Sequence, residues 1–370
     1  MATIFDYLLW RGDVPFSTDP FNEVDNLVLA ELSYTDFAGV VPADGTEVPL
    51  QEAYKNFFRM HTLEEILSKT TYTARVPLLM QEMAAGARFG TTRVSGYINE
   101  VDKEKEAQVS AVTFLLPDGT AYVAFRGTDN TVVGWREDMD LSYTSRTEGQ
   151  MRAVEYLNEV GRRIDRPLRV GGHSKGGNFA AFAASLCDEN IQERILKVYS
   201  NDGPGFREDI LQEEGYQRIV PRMISIIPDT SVIGKLLHHD CKVHIVESSA
   251  NGLVQHDALT WQVIRNHFVT AEISRLGNYI DVVLDDWTAK LDDETRKSLV
   301  ESIFTLFDAT GKDTIAEMSG QKLKSFEAML STIRRLPKDK QVQLLSMVKE
   351  LVLSGADNLG AFTKKLFAAD

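Results

Sequence analysis

The chain has 370 residues, of which 43% are hydrophobic and 25% charged, a balance typical of a globular protein with a substantial core. Its formal net charge of -14 makes nucleic acid and anionic membranes poor partners, because both favour basic surfaces. Its two cysteines, Cys187 and Cys241, form neither a disulfide framework nor a zinc motif. No basic leader or long uncharged apolar run is present, so we expect a cytoplasmic protein without stable membrane insertion.

The predicted elements change in character along the chain. Residues 1–75 mix short helical stretches with turns, and we expect this lead-in to pack on a core formed by residues 76–285. Runs rich in β-branched and aromatic residues predict strands at RVSGYINEVD, VSAVTFLL, AYVAFRG, LRVGG, ILKVYS, RMISII and KVHIVES. Helical segments such as MRAVEYLNEVGRRI and NFAAFAASLC lie between the later strands. This alternation predicts a largely parallel α/β sheet.

Beyond residue 270 the strand pattern stops and helical spacing of apolar residues takes over. Residues 286–370 are predicted to form a C-terminal bundle of about four or five helices. The simplest interpretation is a structural appendage or a surface for a protein partner or for self-association, since such elements do not imply chemistry.

The stretch GHSKG, residues 172–176, matches G-x-S-x-G. A predicted strand precedes it and a predicted helix follows, which is the strand–turn–helix context of a nucleophile elbow around Ser174. Bulk at Gly172 or Gly176 would clash with the neighbouring strand or helix. The alternatives are a glycine-rich turn that binds an anion and a Ser–Lys pair with Lys175. His173 is expected to pack beside the site and not to act as the base.

A serine needs a base, and His256 lies in a loop after the last predicted strand, where the histidine of an α/β-hydrolase is expected. Asp229 ends the strand before it and is the predicted acid, with Asp202 as its rival. The oxyanion hole is predicted at the backbone N–H of Lys175 and at Thr128, in the turn AFRGTD.

The sequence AFRGTD, then Trp135 and Asp138, then GHSKGG, resembles the class 3 (fungal-type) lipases of the α/β-hydrolase superfamily. The resemblance covers residues 90–260 and implies an α/β-hydrolase fold in which Asp138 holds the hydroxyl of Thr128. GGHSKGGNFAA, SNDGPGF and QHDALTWQV are similar to a bacterial family of lipase-like hydrolases. The lysine at 175 departs from the hydrophobic residue usual in class 3 lipases, and the C-terminal helices are not part of their pattern.

These features predict a serine hydrolase that cleaves a small-molecule or lipid carboxylic ester, with no metal or organic cofactor. Two alternatives stay open at this stage. The fold could serve as a catalytically weak or silent scaffold for protein binding. The same triad could also transfer the acyl group to another acceptor or cleave a peptide.

Overall fold

A computed structural model of the chain describes residues 2–278, except 70, 71, 103, 105, 106, 129–139, 142, 251 and 276, and, beyond them, residues 293, 294 and 297. Ten strands lie in this described part: β1 Val48–Pro49, β2 Arg93–Asp102, β3 Ala107–Leu115, β4 Ala121–Phe125, β5 Leu168–His173, β6 Ile195–Asn201, β7 Met223–Pro228, β8 Lys242–Val246, β9 Val263–Ile264 and β10 His267–Phe268.

The described α-helices are α1 Ile4–Arg11, α2 Glu23–Leu32, α3 Leu50–Met60, α4 Leu63–Ser68, α5 Leu79–Ala85, α6 Glu148–Arg163, α7 Lys175–Leu186, α8 Glu189–Gln192, α9 Glu208–Leu211 and α10 Glu214–Ile219. Short 3₁₀ helices lie at Tyr72–Leu78, Val220–Arg222, Ile233–Lys235, Gly252–His256 and Ala258–Thr260. Within these ranges no helix is both long and apolar enough to cross a bilayer.

The eight strands β1–β8 form one sheet in which the spatial order equals the chain order. Strands β1–β4 pair antiparallel, and β4–β8 pair parallel. The register places Phe125 beside Gly172 and His173 beside Asn201. The carboxyl ends of β4, β5 and β6 therefore meet at one edge, where ligands of open α/β sheets bind.

Each face of the sheet has its own apolar core. Helices α6, α7 and α10 cover one face, because right-handed crossovers between strands in sequential order all return on the same side. The other face is covered by α1, α2, α3 and α5 together with β9 and β10. A parallel sheet needs both faces covered, so the N-terminal helices complete the core of the described part.

Helix α2 is unusual because nine of its ten residues are buried, including three polar ones. Asp25 accepts hydrogen bonds from Arg88, Tyr7 and the Asn22 backbone. Asn26 reaches across the sheet edge and donates to Asn201 at 2.8 Å. Buried polar groups persist where partners satisfy them. The contacts with Arg88, Tyr7 and Asn201 lock α2 to other parts of the fold, and the Asn22 contact caps the helix.

The structure confirms the strands predicted from residue 93 to residue 246 and the hairpin turn at 117–120, where Gly119 has φ 82°. The fold is an α/β-hydrolase fold with a mostly parallel sheet, as predicted. The division into a lead-in, a core and a C-terminal bundle stays a prediction. The predicted bundle at 286–370 lies outside the described residues except at 293, 294 and 297.

Candidate active site

Ser174 lies between the end of β5 and the start of α7, with φ 58° and ψ -132°. A side chain is disfavoured in this left-handed region, so the turn holds strain of about 1–3 kcal/mol. An added Cβ at Gly172 would lie 2.3 Å from the Gly176 backbone, and one at Gly176 would lie 2.1 Å from the Phe125 carbonyl oxygen. Both glycines of G-x-S-x-G are therefore required by close backbone packing, as predicted.

His256 ends a 3₁₀ helix in the loop that follows β8, and its Nε2 lies 2.9 Å from Ser174 Oγ. Its Nδ1 lies 2.7 Å from Oδ2 of Asp202. A buried carboxylate accepts hydrogen bonds, so Nδ1 carries the hydrogen and Nε2 is left to accept from the serine hydroxyl. This tautomer is the one that a serine nucleophile needs.

The acid that contacts His256 is Asp202, and the prediction of Asp229 for this position is wrong. Asp202 follows β6, the immediate neighbour of the nucleophile strand β5, whereas Asp229 follows β7, one strand farther away. The one hydrogen on Nδ1 of His256 is donated to Asp202, so none is left for Asp229. Oδ1 of Asp229 instead accepts from the Ser274 backbone N–H at 2.7 Å.

Asp202 is held firmly in its orientation. It is fully buried and itself has φ 50°, a second strained backbone position at the same sheet edge. Its Oδ1 accepts from the Ser231 hydroxyl and from the Gly234 backbone N–H. With Oδ2 on His256, both carboxylate oxygens have partners, which lets the charge stay buried.

The predicted oxyanion donors lie next to Ser174. An added Cβ at Gly127 would come within 3.0 Å of the Ser174 Cβ, so the turn that carries Thr128 passes directly beside the serine. Lys175 is the first residue of α7, and the N–H groups of a first helical turn have no acceptor within the helix. Its side chain runs to β3, where Nζ donates to the Gln108 carbonyl at 3.2 Å.

Trp135 and Asp138, which the resemblance to class 3 lipases singled out, lie outside the described residues. The oxyanion function of Thr128 and Lys175 stays a prediction. Among the described residues, no group of three or more His, Cys, Asp and Glu side chains is placed to hold a metal ion.

A second layer of polar residues lies beneath the serine, and sequence reasoning did not foresee most of it. His173 is buried, and its Nε2 lies 2.9 Å from the carbonyl oxygen of His256. Glu31, on α2, and Tyr34, two residues beyond the end of α2, lie 3.3 Å and 3.1 Å from its Nδ1. No signal in the sequence links α2 to the elbow, because the partners are about 140 residues apart.

Burial sets the protonation of this layer. It lowers the pKa of His173 well below its usual range, and the neighbouring His256 lowers it further. Burial also raises the pKa of Glu31 well above its usual range, and the nearby charge of Asp257 adds to this. Burial thus favours the neutral form of both groups.

Comparison with known proteins gives the family. The sequence matches the family described as Mbeg1-like across residues 83–305, more than half of the chain. The chain belongs to the Mbeg1-like family. This lipase-like family and the sheet topology confirm the relationship to lipase-like α/β-hydrolases predicted from the sequence.

Solved structures similar to this Mbeg1-like chain include M37 lipase, with 14% identity, a TM-score of 0.34, and coverage of 48% of this chain and 70% of the lipase. The native complex of Rhizomucor miehei lipase with its propeptide has 12% identity, a TM-score of 0.35 and coverage of 63% and 88%. Lipase II from Rhizopus niveus has 13% identity, a TM-score of 0.29 and coverage of 38% and 60%. No curated protein sequence matches the chain.

Proposed function

We propose that this chain is a serine hydrolase that cleaves a carboxylic ester through an acyl-enzyme on Ser174. The observation that supports the proposal best is the continuous hydrogen-bonded chain from Ser174 Oγ to His256 Nε2 at 2.9 Å and from His256 Nδ1 to Asp202 Oδ2 at 2.7 Å. Nucleophile and base within hydrogen-bond reach, with a third group orienting the base, is the arrangement that activates a serine.

In the first half-reaction His256 takes the proton of Ser174 as Oγ bonds to the ester carbonyl carbon, whose oxygen becomes an oxyanion. Asp202 stabilises the imidazolium that forms. His256 then gives the proton to the departing alcohol as the carbon–oxygen ester bond breaks. Water repeats the same steps on the acyl-enzyme, which releases the acid and restores Ser174.

The charge that develops on the carbonyl oxygen needs donors beside Ser174. The backbone N–H of Lys175 is one, because it lies at the N-terminus of α7, where the helix dipole favours negative charge. Thr128 is the other, because the turn that carries it passes so close to the serine that a Cβ added at Gly127 would lie 3.0 Å from the Ser174 Cβ. Removing one such donor costs about 10²–10³-fold in kcat in other enzymes.

The charge of the chain and the exposure of the base indicate the substrate class. The net charge of -14 disfavours polyanionic substrates, since like charges repel during approach. His256 keeps 28% of its side chain exposed, so a ligand can reach the base from solvent. We propose small-molecule or lipid esters of short or medium acyl chains as substrates.

The test is covalent labelling with a fluorophosphonate, read as intact mass. We expect one adduct on the wild type, none on Ser174→Ala, and labelling at least about 10³-fold slower on His256→Ala. Ser185→Ala is the matched control, since Ser185 lies on the same helix α7 but donates to the Ala181 carbonyl, away from the base. A chain-length series of esters then defines the acyl preference.

A folded wild type that takes no adduct would contradict the proposal and favour a silent scaffold. If Ser174 is labelled and acyl groups pass to an added amine or alcohol, but esters are not hydrolysed, the chain would be an acyltransferase. The acyl-enzyme on Ser174 would then be kept, and the acceptor would not be water.

A further inference from the structure

His173 occupies a position that the reaction steps leave unused. It directly precedes Ser174, it is only 5% exposed, and its ring lies against the ring of His256 with 4.7 Å between centroids. Its Nε2 lies 2.9 Å from the His256 carbonyl oxygen. The residue before the nucleophile is thus bonded to the backbone of the base.

The contacts determine the tautomer of His173. A carbonyl oxygen only accepts, so Nε2 must carry the hydrogen and donate to His256. In the neutral ring Nδ1 is then an acceptor, and the Tyr34 hydroxyl at 3.1 Å can donate to it. His173 is not placed to take the proton of Ser174, because its Nε2 already carries a hydrogen and its Nδ1 faces Tyr34 and Glu31.

Glu31 completes this arrangement. The carboxyl is 1% exposed, and its Oε1 lacks a hydrogen-bond partner among the described residues while lying 3.3 Å from Nδ1 of His173. An ionised carboxylate there would face the lone pair of Nδ1 and would lack compensation for its burial. Nδ1 has one lone pair, so it accepts either from a protonated Glu31 or from Tyr34, whose hydroxyl also lies 3.4 Å from the His173 carbonyl oxygen. With either donor, a neutral Glu31 fits the neutral ring.

The loop that carries His256 is held at two consecutive carbonyls. The Trp261 indole donates to the Gln255 carbonyl at 2.8 Å, and His173 donates to the next one. The Gln255 side chain in turn accepts from the Thr230 backbone and hydroxyl. Without the hydrogen bond from His173, the carbonyl of His256 would lose the donor that holds it in place.

We propose that His173 is a positioning residue: its Nε2–H holds the His256 backbone so that the base stays within reach of Ser174, and Glu31 and Tyr34 hold His173 in the required tautomer. The inference rests on the proposed function and extends it to α2. A positive charge on His173 would oppose the imidazolium of His256 at this ring separation, so its neutrality also serves the reaction.

A matched pair of substitutions separates the two sides of the ring. In His173→Gln the amide nitrogen is three bonds from Cβ, as Nε2 is, so it can still donate to His256. In His173→Asn the amide is two bonds from Cβ, as Nδ1 is, so the contact with α2 is kept and the bond to His256 is lost. Both variants are neutral and polar, which controls for burial of a polar group.

The readout is the rate of fluorophosphonate labelling of Ser174, with kcat and KM for an ester. We expect His173→Gln to stay within about threefold of wild type and His173→Asn to fall about tenfold or more in labelling rate and kcat with KM unchanged, the effect of one lost hydrogen bond. Thermal unfolding of both variants checks that they fold. Equal rates for the two variants, or a faster Asn variant, would overturn the positioning function.

A second measurement does not depend on activity. In ¹⁵N-histidine NMR of the wild type, with His173 assigned by its loss in His173→Gln, we expect protonated Nε2 and unprotonated Nδ1 at neutral pH. The titratable groups around this ring are Glu31 on α2, Tyr34 just beyond α2, and His256 and Asp257 on the loop that carries the base. Protonation at Nδ1 would overturn the tautomer and with it the proposal.

The two proposals fail in different ways. A wild type that does not label would overturn the proposed function, and the positioning function with it. A wild type that labels at Ser174 while the Gln and Asn variants label equally would overturn the positioning function alone.

Discussion

His256 donates through Nδ1 to Asp202 across 2.7 Å, and Asp202 follows the strand adjacent to the one that ends at Ser174. The base is therefore oriented by a carboxylate that the sheet places one strand from the nucleophile. The aspartate that follows the next strand, Asp229, is bonded to the Ser274 backbone instead. Both aspartates follow a parallel strand, but only Asp202 contacts His256. Substitutions at the two positions can therefore be compared directly.

Asp202→Asn is expected to lower kcat by about 10³–10⁴-fold, through the tautomer of His256. The Ser231 hydroxyl and Gly234 N–H hold one side-chain oxygen, so the new amide NH₂ faces Nδ1. Nδ1 must then accept, Nε2 carries the hydrogen, and it can no longer take the proton of Ser174. Asp229→Asn should stay within about threefold in ester kinetics, since it lacks this contact. A larger loss at 229 than at 202 would reverse the assignment.

The strain at Ser174 predicts a stability difference between two inactive variants. Ser174→Ala keeps a Cβ at φ 58°, whereas Ser174→Gly removes it. Relief of about 1–3 kcal/mol of strain, less about 0.5–1 kcal/mol for the greater entropy of unfolded glycine, leaves the Gly variant about 1 kcal/mol more stable. Urea unfolding of the two proteins measures it. An Ala variant that is equally or more stable would show that the turn is not strained.

The buried ion pair between Arg88 and Asp25 predicts a large loss of stability on mutation. Both side chains are fully buried, with Arg88 Nε 2.7 Å from Asp25 Oδ1. Arg88→Met leaves the carboxylate without its cation and should cost about 3–5 kcal/mol of unfolding free energy. Arg162→Met is the control, because Arg162 is 64% exposed beside Asp188 and its exposed pair contributes about 0–1 kcal/mol. The measurement is chemical denaturation of both variants. Equal losses of unfolding free energy in Arg88→Met and Arg162→Met would contradict the prediction.

Much of the fold could be predicted because its strands are rich in β-branched and aromatic residues. All nine residues of β3 are buried, as a strand covered on both faces requires. The nucleophile elbow could also be predicted from the sequence, because the clashes at Gly172 and Gly176 follow from backbone geometry alone. His256 was found from chain order, because its loop follows the last strand of the sheet.

The acid and α2 could not be predicted for physical reasons. The choice between Asp202 and Asp229 depends on which strand is the spatial neighbour of β5 and on a positive φ at Asp202, and apolar patterning encodes neither. In α2, polar residues such as Glu31 suggest a solvated face, yet they are buried because their partners come from distant elements. The hydrophobic periodicity of a helix does not show that a polar side chain is buried when the partners that satisfy it are distant in sequence.

Folding shifts the pKa values of Glu31 and His173 in opposite directions, which predicts opposite effects of pH on stability. In unfolded chains these groups titrate at about 4.3 and about 6.5. Folded Glu31 has a raised pKa, so above about pH 4.3 the folded state binds the extra proton and stability falls as the pH rises. Folded His173 has a lowered pKa, so its contribution is present above about pH 6.5 and is lost as the pH falls.

Glu31→Gln keeps the size of the side chain, supplies an N–H toward Nδ1 of His173, and removes the titration. The unfolding free energy of the variant relative to wild type should therefore rise with pH above about 4.3, by at most about 1.4 kcal/mol per pH unit, until folded Glu31 ionises. His173→Gln should show the reverse, with its relative stability rising as the pH falls below about 6.5. Denaturant unfolding at pH 4 to 9 measures both. Parallel pH curves for wild type and Glu31→Gln would mean that Glu31 is ionised in the folded protein, and Nδ1 of His173 would then have to carry a hydrogen to face it.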